Sequence, residues 1–244
     1  MTDELMRAIE EASTQVAVDD IYRPYRPKRR TRAMIAKERG LEGLAGIILL
    51  QMTKNSLESE AKAYVNPEKE VPDEAAALAG AGDIIAENIS DEAEYRDYIR
   101  RVTFEKGSLT SEAKDETAKT VYEKYYKYTS LLKRVAGFEV LAINRAEKED
   151  VLKVNVVTDR EGILKYLENK VIVRDNSSTA PFLREIIADA FDRLIWPSVE
   201  REIRNMLTEK AEEGAIKVFS KNLTQLLMQP PIAGHVVLGW DPGY

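Results

Sequence analysis

The sequence has no cysteine, and only one histidine among its 244 residues. Without thiols there is no disulfide framework and no thiolate metal site. A single imidazole, His235, builds neither a multi-histidine metal cluster nor a Cys-His nucleophile. Glycine and proline are sparse, with 12 and 9 copies, and no glycine-rich phosphate loop is present. The longest apolar run, Leu44 to Leu50, is far too short to span a bilayer, and no signal-peptide core opens the chain. Phosphate binding by the whole chain is disfavoured as well, because the formal net charge is -6 and wrapping nucleic acid needs a surplus of Lys and Arg. These absences lead to the expectation of a soluble cytoplasmic protein that is not an enzyme, with no cofactor, no metal and no membrane partner.

What is present favours helices. Hydrophobic residues make up 44% and charged residues 32%, enough for one sizeable core surrounded by Glu, Lys and Arg. Residues 198–228 carry apolar side chains at Val199, Ile203, Met206, Leu207, Ala211, Ala215, Val218, Phe219, Leu223, Leu226 and Leu227, and their three-and-four spacing predicts a helix about 45 Å long. Everything upstream is expected to pack on or beside it. Pro230 and Pro231 stop that helix. Residues 236–240 then switch to a strand pattern closed by Pro242-Gly243. A lone strand has no partner for its backbone groups, so the C-terminus is expected to be the cut edge of a larger protein.

In chain order, residues 3–17 predict one amphipathic helix and residues 20–27 a proline-stiffened extended elbow. Thr31 is the N-cap of a short helix through Arg39, which Gly40 closes. Helices follow over residues 41–52, 56–65, 72–89 (opened by Pro72), 91–106 (capped by Ser90) and 113–129, the last with Val121, Tyr125 and Tyr128 on one face. Residues 131–173 read as mixed, with helices at 138–146 and 162–169 around a β-branched strand at 151–157. Ser178 or Thr179 caps a helix over 181–195, and Pro197 either kinks it or opens the long helix. The expected fold is mainly α. A helical domain covers 1–130, a small mixed α/β insert 131–179 and the long-helix region 180–234, with a terminal first strand in 235–244.

Two stretches could carry binding. Arg23, Arg26, Lys28, Arg29, Arg30 and Arg32 crowd around Tyr22 and Tyr25, a basic strap able to track a phosphate backbone. The same strap could equally be an internal clamp across acidic helix faces such as Glu200, Glu202 and Glu209. Between Lys119 and Arg134, four tyrosines alternate with lysines. That pattern suits either base stacking or simple packing. Glu212 and Glu213 read as solvated surface. Asp241, at the end of the apolar strand, is where a nuclease-type module would place a first acid, but one carboxylate makes no site.

Residues 20–45 (DIYRPYRPKRRTRAMIAKERGLEGLA) and 200–240 (EREIRNMLTEKAEEGAIKVFSKNLTQLLMQPPIAGHVVLGW) resemble the bacterial transcription accessory proteins of the Tex family. The resemblance runs through the whole chain. It implies a helical N-terminal region with a long central helix, followed by an RNase-H-like module of the YqgF type opening near Val236, then helix-hairpin-helix and OB-type RNA-binding modules. It also implies nucleic acid as a partner, bound largely by those later modules, with the transcription machinery as a further partner. The expected function is a scaffold portion that positions nucleic-acid-binding modules and binds weakly by itself. The alternative is the regulatory arm of a nuclease or resolvase whose catalytic module lies beyond residue 244.

Overall fold

The computed structural model describes residues 3–12, 15–25, 30–175, 177–230, 233–236 and 238–243. Eleven helices and three strands are seen among them: α1 (Asp3–Glu11), α2 (Gln15–Tyr22), α3 (Arg32–Glu38), α4 (Glu42–Leu50), α5 (Leu57–Ala61), α6 (Glu74–Asp91), α7 (Ala93–Lys106), β1 (Ser108–Ala113), β2 (Lys127–Leu131), α8 (Gly137–Lys148), β3 (Leu152–Val157), α9 (Arg160–Val171), α10 (Ala180–Asp189) and α11 (Trp196–Leu227). The expected mainly helical fold with a long C-terminal helix is what forms.

The helical body is centred on α6, which packs against α3, α4, α5, α10 and the segment between α10 and α11. Its buried face is made of Ala77, Ala81, Ile84, Ile85, Ala86 and Ile89, and the alanines let neighbouring helices approach closely. This corrects the expectation that the long helix organises everything upstream: α11 packs mainly on α7 and α8. Caps follow the sequence where a side chain can reach. Thr31 Oγ1 accepts from Met34 N at 3.1 Å, and Gly40 closes the turn after α3 with φ of 86°. Asp73, not Pro72, caps α6. Ser90 lies inside that helix, donating to Glu87 O at 2.9 Å, so it does not open α7.

Gln51 ties the body to α9. It ends α4 in the left-handed region, is 3% exposed, and donates from Nε2 to Val171 O at 2.8 Å. Its Oε1 accepts from the amides of Val173 and Arg174, both at 3.0 Å.

The helix expected over 113–129 does not form. Two strands and a 3-10 turn (Glu123–Tyr125) occupy this region. The sheet has the order β2-β1-β3 with both pairs antiparallel, Leu109 facing Ser130 on one side and Val156 on the other. A strand at β3 needs a backbone partner; β1 supplies it, and β2 in turn satisfies the other edge of β1. The sheet therefore draws on both sides of residue 131. β3 alternates as its pattern predicts, with Leu152, Val154 and Val156 buried.

At the other end of the body, α10 runs into α11 through a π-helical turn, Ala190–Ile195. Pro197 has no N–H and its ring crowds the carbonyl four residues back. The wider turn lies just before it, and Pro197 stands in the first positions of α11, so of the two expected alternatives it opens the long helix. Arg160 at the start of α9 clasps Asp192 of this turn in a two-pronged pair at 2.9 and 2.6 Å.

The N-terminal expectations need revision. The single helix over 3–17 is two, α1 and α2, and α2 runs on through Tyr22 into a 3-10 turn, Arg23–Tyr25. The extended elbow therefore does not begin at Asp20. Strand geometry is also missing at the end of the chain: among the described residues of 233–243 no strand forms, and Val236, Leu238 and Trp240 are exposed. An apolar strand without a ladder partner or a core has nothing to hold it.

Candidate functional site

The last turn of α2 carries a buried acid. Asp20 is buried, and its Oδ1 accepts from Arg96 Nε at 2.6 Å while Oδ2 accepts from Arg100 Nη2 at 2.5 Å. Both arginines are on α7, one turn apart. On the opposite side Glu202 of α11 accepts from Arg96 Nη2 at 2.6 Å and from Arg100 Nε at 3.1 Å, and Ser198 Oγ accepts from Arg96 Nη2 at 3.0 Å. Two cations and two anions thus join α2, α7 and α11. Arg96 is fully buried, and its Nη1 has no hydrogen-bond partner among the described residues. Burial acts to lower the Arg100 pKa, but the bonds to Asp20 and Glu202 outweigh it and the net shift is upward.

This node borders a cleft of about 660 Å³ lined by α2, α6 and the start of α11. Arg23 lies in that lining, 3.4 Å from Asp91. Burial, and after it the charge of Arg96, pull the Arg23 guanidinium below its ordinary pKa. Of the other strap candidates, Arg30 pairs with Glu38 at 2.8 Å on the surface, and Arg32 is exposed on α3 without an ion pair among the described residues. Arg26, Lys28 and Arg29 lie outside the described residues. The structure therefore does not bring the strap candidates together as one cluster among the described residues. Among the described ones, Arg23 feels the charge of Glu202 across the cleft but forms its ion pair with Asp91, so none pairs directly with the acids anticipated for a clamp. Glu202 is taken by α7, and Glu200 Oε1 accepts from the Val156 amide at 2.9 Å.

The tyrosines between 119 and 134 pack. Tyr122 and Tyr125 are buried, and Tyr126 and Tyr128 lie partly buried against the core. Tyr126 OH donates to Ala118 O at 2.6 Å. Tyr128 OH donates to Glu139 at 2.8 Å, and burial first, then this bond, raise its pKa to about 12. Glu139 is correspondingly held below its usual range, first by the Tyr128 bond. Sequence reasoning overlooked a second aromatic group, Tyr98 stacked on Tyr166 at 3.5 Å with Tyr95 edge-on to it. The helical spacing of Tyr95 and Tyr98 held the signal, but their partner on α9 is far away in sequence.

The row of apolar residues on α11 divides in two. Val199, Ile203, Leu207 and Ala211 are buried, whereas Phe219, Leu223 and Leu227, which continue the same four-residue spacing, are exposed, as is every described residue over 212–230. Each step of four advances about 40° around the helix. The row drifts round the helix, but it is bare beyond Ala211 because the outer half of α11 is uncovered on every face. At the crossover Gly137 allows close contact, since a Cβ there would lie 3.2 Å from Ala211 Cα. Asp241 is exposed and accepts from the Gly243 amide at 3.0 Å, a local turn.

No helix among the described residues is long and apolar enough to cross a membrane. Comparison with known proteins gives a consistent result along the chain. The Tex central region-like family profile matches residues 53–219. YdcI of Bacillus subtilis (strain 168) is 46% identical over 247 residues, an alignment covering 100% of this chain and 34% of that protein. Protein tex of Bordetella pertussis is 34% identical over 258 residues, covering 100% of this chain and 32% of its own length. S1 RNA-binding domain-containing protein 1 of Homo sapiens is 29% identical over 262 residues, with 100% and 26% covered. The chain spans about a third of the length of these bacterial relatives.

Proposed function

The chain belongs to the Tex central region-like family, and on that footing we propose that it is the non-enzymatic scaffold portion of a Tex-like transcription accessory factor. In this reading it fixes the position of nucleic-acid-binding modules, of the kind that the name of the human relative records, and itself binds nucleic acid only weakly. The observation that carries the reading is the division of α11. Its base is locked into the body by the α7 charge node and four buried apolar residues, and its outer half continues as a helix with the same apolar row uncovered. A helix anchored at one end and bare at the other transmits position.

Two measurements test this. Because the chain has no cysteine, a Glu105→Cys, Lys221→Cys pair takes spin labels at those two positions alone. A rigid spine gives one narrow distance distribution, and a broad one would sink the scaffold reading. For the strap, labelled single-stranded RNA and DNA are titrated against the chain and an Arg29→Glu, Arg30→Glu variant. Expected are dissociation constants weaker than about 10 µM with a shallow salt slope. Nanomolar binding abolished by the two reversals would instead make the strap the principal site.

A further inference from the structure

A second cavity of about 660 Å³ runs between the start of α8 and the middle of α11. Its floor is aliphatic, formed by Leu132, Val140, Leu207 and Ala211, and is continuous with the buried α8–α11 contact. The exposed rings of Phe138 and Phe219 stand at its edge. In a chain with net charge -6, the lining holds two lysines, Lys133 and Lys210, and no carboxylate. Both lysines are exposed, and neither forms an ion pair among the described residues. A Cβ built on Gly214 in this lining meets nothing within 4 Å, so the backbone of α11 is open to close approach there.

We propose that this groove receives an amphipathic helix of a partner protein whose apolar stripe is flanked by carboxylates. A trough between two helices matches the shape of a third helix, and its apolar floor takes side chains at positions i, i+3, i+4 and i+7. Lys133 and Lys210 then select for acidic flanks, because like charges facing each other would be penalised. Single-stranded nucleic acid would also be drawn to lysines beside aromatic rings, but most of the lining is aliphatic and offers bases little to stack on. The inference stands apart from the scaffold reading, since a groove between α8 and α11 exists whether or not the outer half of α11 transmits position.

The test uses the whole 244-residue chain and two fluorescein-labelled helical peptides of about sixteen residues. Both peptides carry leucines at i, i+3, i+4 and i+7; one has glutamates at the flanking positions, the other lysines. The glutamate peptide should bind at least about tenfold more tightly, and a Lys133→Glu, Lys210→Glu variant should invert the preference. Gly214→Leu should weaken binding at least about tenfold while leaving the fold intact by circular dichroism, since the new side chain intrudes where the partner backbone would approach and meets no atom of the chain at its Cβ. Equal affinity for the two peptides, or undiminished binding by Gly214→Leu, would overturn the proposal. So would displacement of the peptide by oligouridylate, which would assign the groove to nucleic acid. Self-association of the chain that Gly214→Leu abolishes would assign it to a second copy.

Discussion

Asn in place of Asp20 tests the charge node most directly. The substitution keeps size and removes one charge, leaving Arg96 and Arg100 to share Glu202. With charge centres about 4 Å apart and an effective dielectric near 20, each guanidinium loses about 4 kcal/mol of attraction. Against that loss of about 8 kcal/mol, the carboxylate no longer has to be stripped of water, a saving of several kcal/mol. The expected net destabilisation is about 3–5 kcal/mol, the range for breaking one side of a buried pair. For a chain of this size that lowers the unfolding midpoint by roughly 10 °C. Urea unfolding followed by circular dichroism measures it. Arg96→Met should cost less, because Arg100 still bonds both carboxylates. The double variant restores neutrality and should fall short of the summed losses by more than about 1 kcal/mol. Glu38→Gln is the control, since its partner Arg30 is at a similar distance but exposed, and it should change stability by under about 1 kcal/mol. A loss below about 0.5 kcal/mol for Asp20→Asn, or strict additivity in the cycle, would refute the reasoning.

Gln51→Ala should cost about 3 kcal/mol, because it unpairs Val171 O and two amides next to a buried side chain; amide hydrogen exchange should speed up first at residues 173 and 174. Tyr128, raised to about 12, favours its protonated form in the folded state. The folded chain therefore holds the extra proton between the usual tyrosine range and about 12, and stability falls as pH rises through that window. Tyr95, Tyr122 and Tyr166 are also shifted upward, each first by burial, so ultraviolet titration should show several late tyrosines, and Tyr128→Phe should remove the step near 12. Glu139 works in the opposite sense. Its lowered pKa adds stability above the ordinary carboxylate range that is lost as pH falls through the folded value, and Tyr128→Phe should weaken that acid limb in pH-dependent melting.

Much of the fold could be read from residues alone, wherever local chemistry decides. Thr31 caps a helix and Gly40 ends it because a hydroxyl reaches an amide and a residue without Cβ accepts positive φ. The alternation at 152–157 and the four-residue row on α11 are periodicities of single elements, and both appear in the structure. Residues 113–129 show where that method stops. Tyrosines and lysines there fit a helical repeat, yet strands form because β1, as the central strand, takes β3 as ladder partner on one side and β2 on the other. The strap was visible as composition, but composition says nothing about which acids are already occupied. Glu202 is claimed by Arg96 and Arg100, residues a hundred positions earlier that no local pattern singled out.

The sequence by itself determined that the chain is mainly helical, that a long helix closes it and that its family is legible, because propensity, capping and period act over a few residues. Only the tertiary structure decided that α6 is the hub, that a buried four-charge node locks the base of α11, and that one continuous apolar row is covered for half its length and bare for the rest. Those outcomes depend on which distant surfaces meet. Burial and charge pairing are properties of the meeting, and no single segment carries them.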